Sequence, residues 1–252
     1  MKKLIYKVRK YNTLVFVDLE GTQFSHEAIA IGAVKAKINK ENFQIKKLDK
    51  GFKVYVKPHN PIGGYVKKLT GITDELLEEK AIPFKAAIKK FVSYCGRDFK
   101  NTLFVTFGSH DARIFNQSLI HSSDANKEDV RHIVDNNLDL LSILNEYIRD
   151  QNNNTYSLAN YLRLYNVNFE GQEHDCLCDA RNLAYLYNEV LRQPEILYDE
   201  YLGYLSRKTN MPRPIVKLVQ KVVKEGDADY DDFMQFVKDD VTYVPPKKRK
   251  RD

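Results

Sequence analysis

The chain of 252 residues, 43% of them hydrophobic, is long enough to form one domain of moderate size with a sizeable core and a smaller appendage. Its apolar runs fall well short of the roughly 20 residues that a membrane-spanning helix needs. Residues 1–12 contain no apolar segment of the kind that a signal peptide carries. We therefore expect a cytoplasmic protein that has no membrane partner, with its three cysteines as reduced thiols.

Most of the net charge of +6 lies in the last six residues, where five basic side chains and Asp252 leave a net charge of +4. This basic segment follows Pro245 and Pro246, and we assign residues 244–252 to a disordered tail. Such a tail could bind nucleic acid, direct nuclear import if the protein is eukaryotic, or merely keep the protein soluble. The sequence leaves these three interpretations open.

The first half of the chain predicts a sheet that opens as a meander. An apolar run at 15–17 indicates a buried strand. Alternating apolar and small residues at 28–38 and 51–57 indicate two more strands, with 39–50 as a charged turn region. Proline and glycine at 58–64 predict a loop, and helices are expected to begin near Thr73 and Pro83.

The second half alternates strand and helix. Residues 103–107 form a continuous apolar run, as expected for a strand that is covered on both faces. Further helices are predicted from about Asp111, Leu138, Ser157 and Cys176, and the pattern over 194–241 is helical throughout. This order of elements predicts an α/β fold, a mixed sheet with helices on its faces and a C-terminal helical extension.

The first strand ends in the segment VFVDLEGT, in which Asp18 and Glu20 are separated by one leucine. Side chains two apart in a strand share a face and lie about 6 to 7 Å apart, so the two carboxylates point the same way. Like charges this close raise the pKa of at least one group unless a cation lies between them. For these eight residues alone, a solvated strand end followed by a turn is the simpler interpretation.

Two further stretches place acids at comparable positions. Asp111 follows the strand at 103–107, where open sheets place ligand sites, although a helix cap is the simpler interpretation of this residue alone. His174 and Asp179 are five positions apart, which corresponds to about 140° around a helix, so His174 should precede the helix that carries Asp179. An acid among leucines needs a partner, and metal ions would supply one.

Four stretches together resemble one family. The segments VDLEGT, KLTGIT at 68–73 and GSHD at 108–111, and the spacing of His174 before Asp179-Ala-Arg-Asn, are similar in order to the DEDDh 3′→5′ exonucleases. The nearest likeness is to the branch with the histone-mRNA and small-RNA trimming exonucleases and the bacterial sporulation-inhibitor-type exonucleases. The resemblance covers about residues 14–190. It implies an RNase H-like mixed sheet of five strands with helices on both faces, and we place this domain at 11–193 and the helical extension at 194–243.

The resemblance also implies a two-metal site. Two Mg²⁺ or Mn²⁺ ions would be held by four carboxylates, those of Asp18, Glu20, Asp111 and Asp179. His174 is implied as the general base. Three residues are implied to approach the substrate, namely Thr22, Leu69 and Thr70. Asp175, at a position where many relatives have a small residue, is interpreted as a surface group.

The expected function is a two-metal-ion 3′→5′ exonuclease that releases nucleoside 5′-monophosphates. Its partner would be RNA or single-stranded DNA with a free 3′ end. Two alternatives stay open, a regulatory or partner-binding protein on an exonuclease fold and a hydrolase that clears short oligonucleotides. All five catalytic positions are filled, which argues against a site that has lost activity, and dependence on substrate length would separate the two hydrolases.

Overall fold

The computed structural model describes residues 1–242, so the predicted tail at 244–252 lies outside the described residues. The chain divides into two compact units. The first comprises residues 1–146 and 156–194, and the second comprises residues 147–155 and the chain from Glu195 onward. The first unit therefore includes residues that precede position 11, where we place the start of the exonuclease domain.

The described residues of the first unit contain one mixed sheet. Its seven strands are β1 Thr13–Gly21, β2 Ala28–Ile38, β3 Ile45–Leu48, β4 Phe52–Lys57, β5 Ile82–Pro83, β6 Thr102–Thr106 and β7 Asn137–Asp139. Their order is β5, β4, β2, β1, β6, β7, and β3 also pairs with β2. Because β1 is antiparallel to β2 and parallel to β6, the predicted mixed sheet is confirmed.

Helices flank this sheet. Those of the first unit are α1 Lys2–Val8, α2 Gly64–Thr70, α3 Asp74–Lys80, α4 Phe84–Cys95, α5 His110–His121, α6 Lys127–Asp135, α7 Leu140–Leu144, α8 Leu158–Leu164 and α9 Cys176–Arg192. A 3-10 helix, Gly96–Asn101, connects α4 to β6. The C-terminal part contains α10 Pro194–Leu205, α11 Arg213–Glu225 and α12 Tyr230–Val241. Within residues 1–242, no helix has both the length and the apolar character that crossing a membrane requires.

Strand β1 is covered on both faces, which fixes where its end points. Val17 belongs to an apolar cluster that includes residues of α4, α5 and α6. On the opposite face, the ring centroid of Phe16 lies 5.4 Å from that of Tyr187 in α9. Asp18 and Glu20 continue the row of Phe16 by strand alternation, so they lie on the face that α9 covers.

The sheet has seven strands where the resemblance predicts five. Strands β5 and β7 have two and three residues, which is too short for a periodic pattern to appear. Leu138, where a helix is predicted to begin, lies in strand β7, and the helix begins at Leu140. Strand β3 lies inside the predicted turn region at 39–50, where its central lysines are both exposed and give no alternation.

Three helices were not predicted. Helices α1 and α6 are short, with seven and nine residues, and carry many charged side chains. Helix α2 begins within the predicted loop at 58–64 and continues into KLTGIT, which contains the end of α2 and its connection to α3. Gly71, with a φ of +71°, ends α2 in the left-handed conformation that glycine tolerates best, and the Thr73 side chain caps α3.

The helices of the second unit match the helical pattern at 194–241, where the sequence predicts an extension. Helix α12 begins with a capping box formed by Asp229 and Asp232. Asp232 also forms an ion pair with Lys221 of α11, which connects these two neighbouring helices.

Candidate active site

Asp18 and Glu20 lie at the end of β1. Asp18 pairs with Gly32 of β2, and a register shift follows between Glu20 and Gly21. Since Gly32 has no side chain, the backbone of Cys176 at the start of α9 lies directly against the strand, and a Cβ on Gly32 would be 2.2 Å from the Cys176 carbonyl carbon. This close approach places the first turn of α9 beside Asp18.

Asp111 reaches the same region from β6. Gly108, with a φ of +106°, turns the chain from β6 into α5, and Asp111 lies in the first helical turn. The carboxylate is buried, and its Oδ1 accepts a hydrogen bond of 2.8 Å from the backbone N–H of Leu19. Ser109 occupies the N-cap position, so Asp111 is not the helix cap and instead binds the strand between Asp18 and Glu20.

His174 precedes α9, as its spacing from Asp179 predicts. The helix begins at Cys176, and Asp175 is its N-cap. His174 has a φ of +65° and is exposed, and its backbone N–H hydrogen-bonds to the Asp179 carboxylate. The candidate general base is therefore connected to a candidate metal ligand through one backbone hydrogen bond.

Three of the four predicted metal ligands converge into one cluster, and Asp111 is a close neighbour of Asp18. Single carboxylate oxygens of Asp18, Glu20 and Asp179 all lie within 4.8 Å of one another. Burial, and next the nearby Asp111 carboxylate, raise the pKa of Asp18 well above its ordinary range. Burial followed by repulsion from Asp179 raises the pKa of Glu20 to about 8. Burial raises the pKa of Asp111 and the pKa of Asp179 to about 7.

This donor set fits a divalent cation. Burial and mutual repulsion disfavour the charged form of these four neighbouring carboxyl groups. A bound cation would neutralise that charge and make the carboxylates favourable ligands. All four donors offer oxygen, and oxygen ligands suit Mg²⁺ and Mn²⁺ better than they suit zinc. No sulfur or imidazole nitrogen belongs to the group found among residues 1–242.

Asp175 has a structural role that the surface interpretation missed. Its Oδ1 accepts hydrogen bonds from the backbone N–H groups of Leu177 and Cys178, at 3.0 and 3.2 Å. Its other oxygen lies 2.5 Å from Nζ of Lys53 in β4. Although burial acts to raise the pKa of Asp175, the hydrogen bond from Lys53 and those from the helix backbone lower it. Asp175 is thus a half-buried cap that ties α9 to the sheet.

Asp18, Glu20 and Asp179 line an open cleft of about 480 Å³, whereas Asp111 is buried and is not among the residues that line it. Thr22 and Leu69, two of the three predicted substrate-binding residues, line this cleft. The Thr22 hydroxyl accepts a hydrogen bond of 2.9 Å from the Glu27 backbone N–H. Thr70 lies outside the lining, and its hydroxyl donates to the Val66 carbonyl and accepts from the Ile72 N–H. These bonds close the end of α2, and the contact of Thr70 with substrate stays a prediction.

Rings in the cleft wall were not predicted as site residues. His26 and His110 make a T-shaped contact with ring centroids 5.2 Å apart, and Tyr65 and Phe107 line the same cleft. Burial lowers the pKa of His26 and that of His110, so both rings are neutral at neutral pH. The sequence gives one clue to this wall, since His110 directly precedes Asp111, whereas its contact with His26 is visible only in the fold.

Sequence comparison agrees with this geometry. The exonuclease family model of the RNase T type matches residues 15–187. The DNA polymerase III subunit epsilon of Buchnera aphidicola subsp. Acyrthosiphon pisum (strain APS) is 25% identical over 229 residues, which cover 86% of this chain and 88% of that protein.

Solved structures show the same fold. A full-length 3′-exonuclease has a TM-score of 0.57 and 20% identity, and the match covers 73% of this chain and 62% of that one. This chain therefore spans less than two thirds of the full-length enzyme. The nuclease domain of 3′hExo, a DEDDh family member bound to rAMP, has a TM-score of 0.54 and 20% identity, with coverage of 73% and 93%.

The segment that matches the family model contains every acid of the cluster, together with His174. It also spans the strands and helices that bring these residues into one cleft. The match extends over more than half of the chain, and the RNase H-like α/β fold that the sequence predicts is confirmed by the solved structures. The protein is thus a member of the RNase T exonuclease family, and it is an exonuclease enzyme.

Proposed function

We propose that this exonuclease removes nucleotides from the 3′ ends of RNA or single-stranded DNA with two divalent ions and releases nucleoside 5′-monophosphates. The observation that carries the proposal is the convergence of Asp18, Glu20 and Asp179 within 4.8 Å in one cleft. A relative described as a 3′-exonuclease, and a second one bound to rAMP, support the choice of the 3′ end and of the product.

The ions would be held by the four carboxylates of Asp18, Glu20, Asp111 and Asp179. When bound, Mg²⁺ or Mn²⁺ supplies positive charge that stabilises the attacking and leaving oxygens of an in-line displacement at phosphorus. The Leu19 N–H and the His174 N–H each hold one of these carboxylates, which leaves its remaining lone pairs for a ligand.

His174 accepts the proton of the attacking water in this proposal. Its side chain lies in the cleft wall at a position next to the acids, and a neutral imidazole is an effective proton acceptor at neutral pH. The water oxygen forms a bond to phosphorus while the bond from phosphorus to the 3′ oxygen of the preceding nucleotide breaks. The leaving 3′ oxygen takes a proton from solvent water, so the products are a nucleoside 5′-monophosphate and a strand with a new 3′ hydroxyl.

The walls of the cleft would orient the terminal nucleotide. Leu69 offers apolar contact to the last sugar or base, and the neutral rings of His26 and His110 offer faces and edges for a second base. The Thr22 hydroxyl accepts from the Glu27 N–H and the Thr22 N–H donates to the Glu27 carbonyl, so these two bonds would hold Thr22 in the wall beside the sugar.

An assay with end-labelled strands tests the proposal. RNA and single-stranded DNA of the same sequence, labelled at the 5′ or the 3′ end, are incubated with Mg²⁺, with Mn²⁺ or with chelator. We expect the 5′-labelled strand to shorten stepwise and the 3′ label to leave as a mononucleotide, with no reaction in chelator. Internal cleavage, products that carry 3′ phosphates, or full activity in chelator would contradict it.

A length series separates the alternatives. An enzyme that clears short oligonucleotides should hydrolyse dinucleotides faster than long strands, whereas a general 3′-exonuclease should act on long strands at least as well. A regulatory protein should bind the strands and hydrolyse none of them with either metal.

A further inference from the structure

A second groove lies at the β7 edge of the sheet. It has a volume of about 610 Å³ and runs between α1 and the segment that contains β7 and α7. Helix α1 precedes residue 15, where the match to the exonuclease family begins, so this groove is outside the family segment on one side. Its lining includes Lys2, Lys3, Tyr6 and Lys7 of α1, with Leu138 and Ile143 opposite.

Helix α1 holds a set of cations in a fixed position. Leu4 and Val8, one helical turn apart, are fully buried and anchor the helix. Residues 1–12 contain five basic side chains and no acidic one. Lys3 forms an ion pair with Glu146, whereas Lys2 and Lys7 make no ion pair with any residue in the described range 1–242. The groove therefore presents positive charge that the described part of the protein does not neutralise.

An aromatic ring lies among these cations. Tyr6 is 57% exposed and lines the groove, and the Arg9 guanidinium lies 4.3 Å from its ring centroid. Single-stranded nucleic acids bind where positive charge follows the phosphates and exposed rings stack with bases. The apolar floor beside Tyr6 suits the faces of bases better than it suits free anions.

The groove adjoins the active-site cleft. Asp139, a lining residue of the groove, accepts a hydrogen bond of 2.9 Å from the Gly108 N–H. Phe107, one residue before Gly108, and His110, two residues after it, line the cleft. The turn between β6 and α5 thus contacts the groove residue Asp139 through Gly108 and lines the cleft through Phe107 and His110, and a strand whose 3′ end lies in the cleft could continue over this edge toward α1.

We propose that α1 and this groove bind the same nucleic-acid strand upstream of its hydrolysed end. Lys2 and Lys7 pair with phosphates, and Tyr6 stacks with a base. The assignment depends on the proposed function only in that the cleft receives the 3′ end. The groove would add contacts to strands that are longer than the cleft itself can accommodate.

Salt-dependent binding tests the phosphate contacts. The double variant Lys2→Gln/Lys7→Gln is compared with Lys89→Gln/Lys90→Gln, a matched control on α4, where both lysines are exposed and outside the cleft and the groove. Fluorescence anisotropy with a labelled single-stranded DNA is measured in chelator, which prevents hydrolysis. Each phosphate contact on a single strand contributes about 0.7 to the slope of log K against log salt, so the slope should fall by about 1.4 in the α1 variant alone.

Equal slopes in the α1 variant and the control would overturn the proposal. Tyr6→Ser provides an independent measurement, because loss of one stacked base should weaken binding about fivefold or more at any salt concentration. Affinity equal to that of the unmodified protein would remove Tyr6 from the site. Degradation of the same strand with Mg²⁺ is scored separately on the unmodified enzyme, so failure of the groove is distinguished from failure of the proposed function.

Discussion

The three acids of the cluster and the neighbouring Asp111 show how carboxylates are kept at buried positions although burial disfavours their charge. Burial raises the pKa of Asp111 and of Asp179 to about 7, yet each carboxylate is fixed by a backbone N–H from another segment. Strand alternation was sufficient to predict that Asp18 and Glu20 point together. The bond from Leu19 to Asp111 joins residues 92 positions apart, so no local pattern could predict it.

Removing one carboxylate tests the metal-ligand assignment. Asp18→Asn or Asp179→Asn should reduce metal affinity and the cleavage rate by about 100-fold or more, because each change deletes a charged oxygen ligand. In the absence of metal, the variants should melt at or above the temperature of the unmodified protein, since a carboxyl group whose charge is unfavourable at this position is replaced by a neutral amide. Metal titration, melting and strand cleavage measure these effects. Asp135→Asn, at an exposed site on α6, is the control, and full activity in a cluster variant would contradict the assignment.

Replacing the histidine separates a base from a ligand. His174→Ala should lower the rate by about 10² to 10⁴ while metal affinity stays close to that of the unmodified enzyme, because only the proton acceptor is lost. His121→Ala, an exposed histidine outside the cleft, is the matched control. A folded His174→Ala protein with a near-normal rate would require another base.

At the scale of elements, helix α9 carries Asp179 of the cluster. Glycines without side chains allow the first turn of this helix to pack closely, and they determine where the helix lies. A Cβ on Gly51 would be 2.4 Å from the nearest Leu177 side-chain carbon, so the first turn of α9 rests on Gly51 as well as on Gly32. The ion pair between Lys53 and Asp175 ties the same turn to β4. The position of Asp179 is therefore a property of the packed helix.

Filling the space at Gly32 should displace this helix. In Gly32→Ala the new methyl group would lie 2.2 Å from the Cys176 carbonyl carbon, and neither backbone can yield easily. We expect a loss of about 1 to 3 kcal/mol in the free energy of unfolding, together with weaker metal binding and slower cleavage. Gly64→Ala is the control, because nothing lies within 4 Å of its added Cβ. Denaturant melts and metal titration give the answer, and a Gly32→Ala protein with normal metal affinity would show that α9 is located by other contacts.

Long buried elements were predictable from the sequence, and short exposed ones were not. The predicted strand at 28–38 coincides with β2, and the helix predicted from Cys176 coincides with α9. Both bury enough apolar surface to impose a regular pattern. Strand β3 has only half-buried ends around two exposed lysines, and α1 has seven residues, so packing against distant segments decides their structure.

At the scale of the whole molecule, the order of the motifs was sufficient to predict the fold class and the family, whereas the surroundings of the cluster depend on distant contacts. Lys53 meets Asp175 across 122 positions, and Asp139 of the α1 groove meets Gly108 across 31. A sequence pattern reports the residues that chemistry requires. It does not report which neighbours the fold places around those residues. These neighbours determine how much of the carboxylates' negative charge is left for a metal ion to neutralise.

The charge balance predicts an unusual pH dependence for the metal-free protein. The pKa of Glu20 is raised to about 8 and that of Asp111 and Asp179 to about 7, so the folded state binds these protons more tightly than the unfolded chain does. The stabilising contribution is complete below the ordinary carboxyl pKa and is lost as the pH rises through about 7 to 8. In chelator, the melting temperature should therefore fall between pH of about 5.5 and about 8.5, and Mg²⁺ or Mn²⁺ should restore it at the higher pH. Asp179→Asn should show a smaller fall, and a metal-free protein with equal melting temperatures at both pH values and no response to metal would contradict the proposed cluster.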